Sequence, residues 1–183
     1  MEPVGNDIVW LGDPCNQGRW LDTRLVGRIL TLAEQAVVLG SQEPDRLLWS
    51  LWAAKEAGYK AWARTHPGAS FSPVSFEVAD FWASATVTHR QWTVPVCWLH
   101  GADWVHAVAG ANQESIITRV ERGEGDESQA VRSLAVRALI EAGMLPGTIE
   151  GFPPHYLVGG RKTTAAVSLS HDGPYCAVAF RLK

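Results

Sequence analysis

Apolar positions divide this chain into several strand-like runs and a few stretches of helical period. Residues 4–11, Val-Gly-Asn-Asp-Ile-Val-Trp-Leu, predict an apolar strand interrupted by one acid, Asp7. Over residues 21–39 the apolar positions recur at helical spacing, which predicts one helix opened by Asp22 and closed by Gly40. A second helix is expected from about Asp45 to Arg64, stopping before His66-Pro67-Gly68. Residues 75–78 read as a strand. Residues 86–99 and 104–109 read as antiparallel strands joined by a turn through Gly101 and Asp103, with Pro95 at an edge or a bulge. A polar loop over 121–127 precedes an amphipathic helix over 128–142. Residues 165–180 read as two apolar strands around the polar turn Ser170-His171-Asp172-Gly173-Pro174. No internal repeat or low-complexity linker is visible. The mixture predicts a single α+β domain over 1–183, an antiparallel sheet packed against helices.

The second predicted helix carries the first candidate chemistry. Trp52, Glu56 and Lys60 follow one another at four-residue intervals and share one face. Glu followed by Lys at that spacing also stabilises a plain helix by about 0.2–0.5 kcal/mol, so the stripe alone is ordinary structure. It gains meaning beside Asp7 in the first strand and His171 in the last hairpin, because an acid pair, an ammonium and an imidazole are what a phosphate-handling site needs.

Four segments in order resemble the 4'-phosphopantetheinyl transferases, specifically the short holo-acyl-carrier-protein synthase type. They are Gly5-Asn6-Asp7-Ile8-Val9, Arg28-Ile29-Leu30-Thr31-Leu32-Ala33-Glu34, Trp52-Ala53-Ala54-Lys55-Glu56-Ala57-Gly58-Tyr59-Lys60 and Ser168-Leu169-Ser170-His171. The resemblance covers about the first seventy residues and the last thirty. It implies transfer of the phosphopantetheine arm of coenzyme A to a serine of an apo acyl or peptidyl carrier protein, with release of 3',5'-ADP. It implies that Asp7 and Glu56 hold Mg²⁺, a small hard ion suited to one or two carboxylates plus water and phosphate oxygens. Lys60 would reach a phosphate oxygen, and Glu56 or a metal-bound water would deprotonate the carrier serine. Ser170 and His171 are implied contacts of coenzyme A, and Lys55 a phosphate contact or a structural residue. Longer relatives carry a further acid where Val9 stands here, which leaves that coordination position to water.

One copy of each motif, with the Ser-His segment last, is the order of the short type rather than of the longer pseudo-dimeric type. The resemblance therefore implies a homo-oligomer, a trimer with sites between subunits. Two departures stand out: the segment of about 81–146 is longer than in the short type, and Ala61-Trp62-Ala63-Arg64 replaces the usual Gly-Thr-Gly. Glu34 matches a family acid. Arg24 and Arg28, four apart, could dock an acidic helix of the carrier. Competing readings are a non-catalytic coenzyme A or nucleotide binder and a Trp-rich interaction domain, given nine tryptophans.

Composition narrows the classes. Of 183 residues, 46% are hydrophobic and 19% charged, which excludes a disordered polyampholyte. A net charge of -3 gives no electrostatic case for nucleic acid. Neither a signal region nor an apolar run of membrane length appears, so no membrane partner and a cytoplasmic location are expected. Cys15, Cys97 and Cys176 lack C-x-x-C spacing and are expected reduced, the last two within apolar strands. His89, His100 and His106 are expected to be structural.

Overall fold

The protein is described from a computed structural model over residues 2–81 and 85–182. Residues 82–84, at the start of the expected enlarged segment, lie outside the described residues. Strand β1 (Val4–Trp10) leads through two short 3-10 turns into helices α1 (Thr23–Ile29), α2 (Leu32–Leu39) and α3 (Pro44–Ala63). Strands β2 (Glu77–Ala79), β3 (Thr86–His89), β4 (Trp92–His100) and β5 (Trp104–Gly110) follow. Then come β6 (Ile117–Arg122), α4 (Glu127–Glu141), β7 (Thr148–Glu150), β8 (His155–Val158), β9 (Arg161–Lys162), β10 (Ala166–Asp172) and β11 (Tyr175–Arg181). No helix among the described residues is long and apolar enough to cross a membrane.

The expected single helix over 21–39 is two. Asp22 caps α1 as expected, its Oδ1 accepting from Leu25 N at 2.9 Å. Thr31 and Glu34 then form a reciprocal capping box that starts α2 afresh. Such a box satisfies donors that only a new N-terminus leaves free, so it breaks an otherwise continuous apolar period. The turn at Gly101 and Asp103 is found as expected, but the run 86–99 is split at Arg90-Gln91 into the β3–β4 hairpin, and β6 to β9 were not expected as strands. They are short, and half of their positions are exposed, which gives little periodicity to detect.

All pairings are antiparallel. One sheet has the order β1-β5-β4-β3-β2, a second β10-β11-β6, and a third β7-β8-β9. Pro95 sits where β4 changes partners: residues up to Pro95 pair with β3 and residues from Val96 pair with β5. Its missing N–H therefore falls at a gap between ladders.

Alternation sorts each strand. In β1, Val9 joins Val105, Ala107 and Ala109 of β5 in the core beneath α3, whereas Val4 and Ile8 face Ala166, Ala177 and Ala179 of the second sheet. In β11 the opposite set, Cys176, Val178 and Phe180, packs with Leu134, Ala135 and Leu139 of α4. The result is four layers: helix, sheet, sheet, helix. Cys97 lies in β4 but turns outward, while Cys176 is buried, and all three cysteines are free thiols.

Two glycines set the spacing of the first helix and sheet. A Cβ on Gly5 would lie 1.9 Å from the Ala57 carbonyl oxygen and 2.6 Å from Ala61 N, and a Cβ on Gly58 would lie 2.6 Å from Val87 Cγ1. At Gly5 the obstacle is backbone, which cannot rotate away. Gly5→Ala should therefore destabilise the protein by at least about 1–3 kcal/mol, the scale of an overpacked core. Urea unfolding of the variant against wild type measures it.

Candidate active site

Gly5 brings β1 against α3 so closely that the next residue facing the helix, Asp7, meets Lys60. Lys60 Nζ lies 2.8 Å from Asp7 Oδ1 and 3.4 Å from Glu56 Oε1. The two acids expected from distant segments thus share one ammonium. Burial raises the Asp7 carboxyl to about 7; Lys60 opposes the rise, and Glu56 and Asp172 add to it. Burial also works against the Lys60 ammonium, but Asp7 and Glu56 outweigh it and hold Lys60 above its ordinary value. Lys60 is therefore a fixed cation and not a base.

The site opens in two directions. A cleft of about 710 Å³ is walled by Asp7, Glu56 and Lys60, by Arg64 and His66 beyond them, and by Ser168 to His171 of β10. Phe152, fully exposed, stands on its rim. This volume is ordinary for a small-molecule site. A second depression of about 300 Å³ shares Asp7, Glu56 and His171, and adds Asp13, Asp172, Trp49 and Trp52. Asp13 and Asp172 were not among the expected site residues. Burial raises the Asp172 carboxyl, with Asp13 and Glu127 adding to the rise, although Trp10 N donates to Asp172 Oδ2 at 2.7 Å.

His171 is exposed as expected, with Nδ1 3.0 Å from Glu127 Oε2 in the first turn of α4. Ser170 lines the cleft, but not from a turn. It was expected to present its hydroxyl at a turn, but β10 continues to Asp172, so alternation turns Ser170 inward, where it is 5% exposed. Its Oγ accepts from Asn6 Nδ2 at 3.0 Å, and Asn6 N donates to Ser168 Oγ at 3.0 Å. Asn6 Nδ2 also lies 3.0 Å from His106 Nε2. This buried polar seam was missed. Its available signal was Asn6 itself, an amide in an otherwise apolar strand, where Asn is disfavoured unless its groups are paired.

Lys55 is corrected likewise. It is fully buried on the far side of α3, with Nζ 2.7 Å from Glu34 Oε2 and 3.3 Å from the Pro73 carbonyl, and it also donates to the Phe76 carbonyl. A phosphate cannot reach it. Burial lowers the Lys55 ammonium, and the Glu34 carboxylate resists that fall. Glu34 in turn accepts from Thr31 N at 2.7 Å and Val78 N at 2.8 Å, so the pair ties α2, α3 and β2 together. Arg24 and Arg28 are exposed on α1. The histidines are dispersed: His89 stacks on Phe76 at 4.3 Å, His100 is exposed, and His106 belongs to the seam.

A family model described as 4'-phosphopantetheinyl transferase superfamily matches residues 3–109. The chain belongs to that superfamily. A holo-[acyl-carrier-protein] synthase of Shewanella frigidimarina is 41% identical over 58 residues, 32% of this chain and 46% of the relative. The chain thus spans about half the length of the curated relative it matches. Among solved structures, the holo-[acyl-carrier-protein] synthase from Neisseria meningitidis aligns with a TM-score of 0.50 at 23% identity, over 62% of this chain and all of that one. The Thermotoga maritima holo-[acyl-carrier-protein] synthase gives 0.47 at 20% identity, over 70% of this chain and 73% of that one. The first of these shares the fold.

Two outcomes follow from the buried groups. Lys55→Met should cost about 3–5 kcal/mol, because it strands the Glu34 carboxylate in the core. Urea unfolding of the variant against wild type would show it. Burial, reinforced by Lys60, lowers His106 to about 3 from its ordinary 6.5. Below 6.5 the unfolded chain therefore takes up a proton that the folded chain refuses. Stability should fall as pH drops from 6.5 toward 3, by up to about 1.4 kcal/mol per pH unit. His106→Gln should lose that component, seen as a difference between the two proteins in denaturant titrations across pH.

Proposed function

We propose that the protein transfers the 4'-phosphopantetheine arm of coenzyme A to a serine hydroxyl of an apo carrier protein and releases 3',5'-ADP. The reading is carried by one observation in a chain of this superfamily: Asp7, Glu56 and Lys60 converge on a cleft that also holds His171.

The donor set fits Mg²⁺. Two carboxyl groups face a single ammonium, and a divalent cation beside them would offset the burial and the Glu56 charge that raise the Asp7 carboxyl. Among the described residues no three His, Cys, Asp or Glu side chains form a metal cluster, and Mg²⁺ commonly takes only one or two carboxylates. Asp7 and Glu56 would hold it, and when bound it would offset charge developing on the pyrophosphate.

The chain's own residues divide the remaining work. Asp7, buried and closest to Lys60, is the less accessible acid; Glu56 is more exposed and more loosely paired. Glu56 is therefore placed to take the proton of the incoming serine hydroxyl. That oxygen bonds to the phosphorus bearing the pantetheine arm, and the bond from this phosphorus to the bridging oxygen breaks. The electron pair leaves with 3',5'-ADP. Lys60, permanently protonated, faces this charge and stabilises it. His171, on the cleft wall, is positioned to donate to a phosphate oxygen.

Intact-mass measurement on a panel of apo carriers, fatty-acid, polyketide and peptidyl, tests the reading. Wild type with coenzyme A and Mg²⁺ should add one phosphopantetheine arm, and Asp7→Ala should add none. Lys60→Met should lower kcat by about 10²–10³, the loss seen when one preorganised charge-stabilising group is removed. Coenzyme A binding without modification of any carrier would sink the transfer reading in favour of a binding protein.

A further inference from the structure

The face of β10 turned away from β1 ends at the site. Ser168 and Ser170 bond to Asn6 of β1, so alternation turns Val167, Leu169 and His171 to the opposite face, where Val167 and Leu169 pack with α4. On α4 the row that packs there starts from Glu127: Val131, Leu134 and Ala138, one, two and three turns farther on, are buried. The apolar row of the strand and that of the helix thus close on a polar residue at the same end. Those two residues meet, with His171 Nδ1 3.0 Å from Glu127 Oε2.

Both partners stand on fixed backbone. The end of β10 is held by Asp172, whose Oδ2 accepts from Trp10 N at 2.7 Å. The loop before α4 is tied to the same hairpin, because Gly123 N donates to the Pro174 carbonyl at 3.0 Å. That approach requires glycine: a Cβ on Gly123 would lie 2.7 Å from Cys176 Sγ. Asp126 then caps α4, its Oδ1 accepting from Gln129 N at 2.8 Å, so capping does not fall to Glu127.

An ion pair so open to water, with side chains 40% and 56% exposed, adds little to stability. It does fix the imidazole. A carboxylate only accepts, so Nδ1 carries the proton of this bond, and Nε2 is the nitrogen left for the two openings that His171 lines. Glu127 itself walls neither opening, and it lies outside all four motif segments, in the lengthened stretch of about 81–146.

We infer that Glu127 is a positioning residue of the coenzyme A site: its carboxylate holds Nδ1 of His171 so that Nε2–H meets a phosphate oxygen. The inference rests on the proposed binding of coenzyme A in this cleft. With a phosphate at Nε2 both ring nitrogens donate, and the imidazolium bridges two anions.

Calorimetry with coenzyme A on wild type, Glu127→Ala, His171→Ala and the double variant tests the role. Charge alone has the opposite sign, since removing a carboxylate near a polyanionic ligand should tighten binding. Positioning predicts that Glu127→Ala weakens binding by about tenfold, the scale of a hydrogen bond to a charged group. Once His171 is already Ala, the same change should add less than about twofold. Glu127→Gln keeps an oxygen that accepts from Nδ1 and should restore most of the affinity. Wild-type or tighter binding by Glu127→Ala overturns the inference, and so does an equal loss in the His171→Ala background. The tautomer of the neutral His171 ring, seen in long-range ¹H–¹⁵N spectra, gives a readout without ligand. It should be Nδ1–H in wild type and Glu127→Gln and Nε2–H in Glu127→Ala; an unchanged tautomer in Glu127→Ala also overturns the inference. A wild type with the Nδ1–H tautomer that binds no coenzyme A overturns the reading of the cleft, and with it the role but not the contact.

Discussion

The close approach of β1 to α3 at Gly5 is the constraint on which the site depends. With no side chain between strand and helix, the Ala57 carbonyl and the Ala61 amide come within contact of the strand backbone. That spacing brings a short aspartate side chain within 2.8 Å of the lysine one turn beyond Glu56. The methyl side chains of Ala53, Ala54, Ala57 and Ala61, all buried, extend the close contact along the helix. A larger residue anywhere on this face would lever Asp7 away from its partners.

Electrostatics on the two sides of α3 have different ends. On one side Lys55 and Glu34 form a buried pair surrounded by backbone partners, which fixes where α2 and β2 meet the helix. On the other, Lys60 is shared by two carboxylates and open to a cleft. Lysines five apart lie on different faces of a helix, and here one is buried in an ion pair while the other lines a cleft. The same residue type at neighbouring motif positions takes its role from what it faces.

The second sheet matters to the site because it meets β1 through polar groups as well as apolar ones. Asn6, Ser168, Ser170 and His106 link β1, β5 and β10 at positions adjacent to Asp7 and His171. Buried polar groups of this kind lose their partners if the strands slide, so they fix register where apolar contacts between alanines would tolerate a slip.

By itself the sequence determined the α+β mixture, the cap of α1 and the approximate limits of α3, and it singled out Asp7, Glu56, Lys60 and His171, because strand and helix periods and ordered motifs are local properties. It left Lys55 between a phosphate contact and a structural role and gave Ser170 an exposed hydroxyl, since a motif names residues without saying which face of the helix or strand each one takes. It joined α1 to α2, because the apolar period runs through the capping box at Thr31 and Glu34. Only the tertiary structure decided that β10 lies along β1, that Asn6 and Ser168 bind them, and that the acids and the histidine line the same openings. The hydrogen bonds of Asn6 to Ser168 and Ser170 span 162 and 164 positions, and no local pattern encodes them.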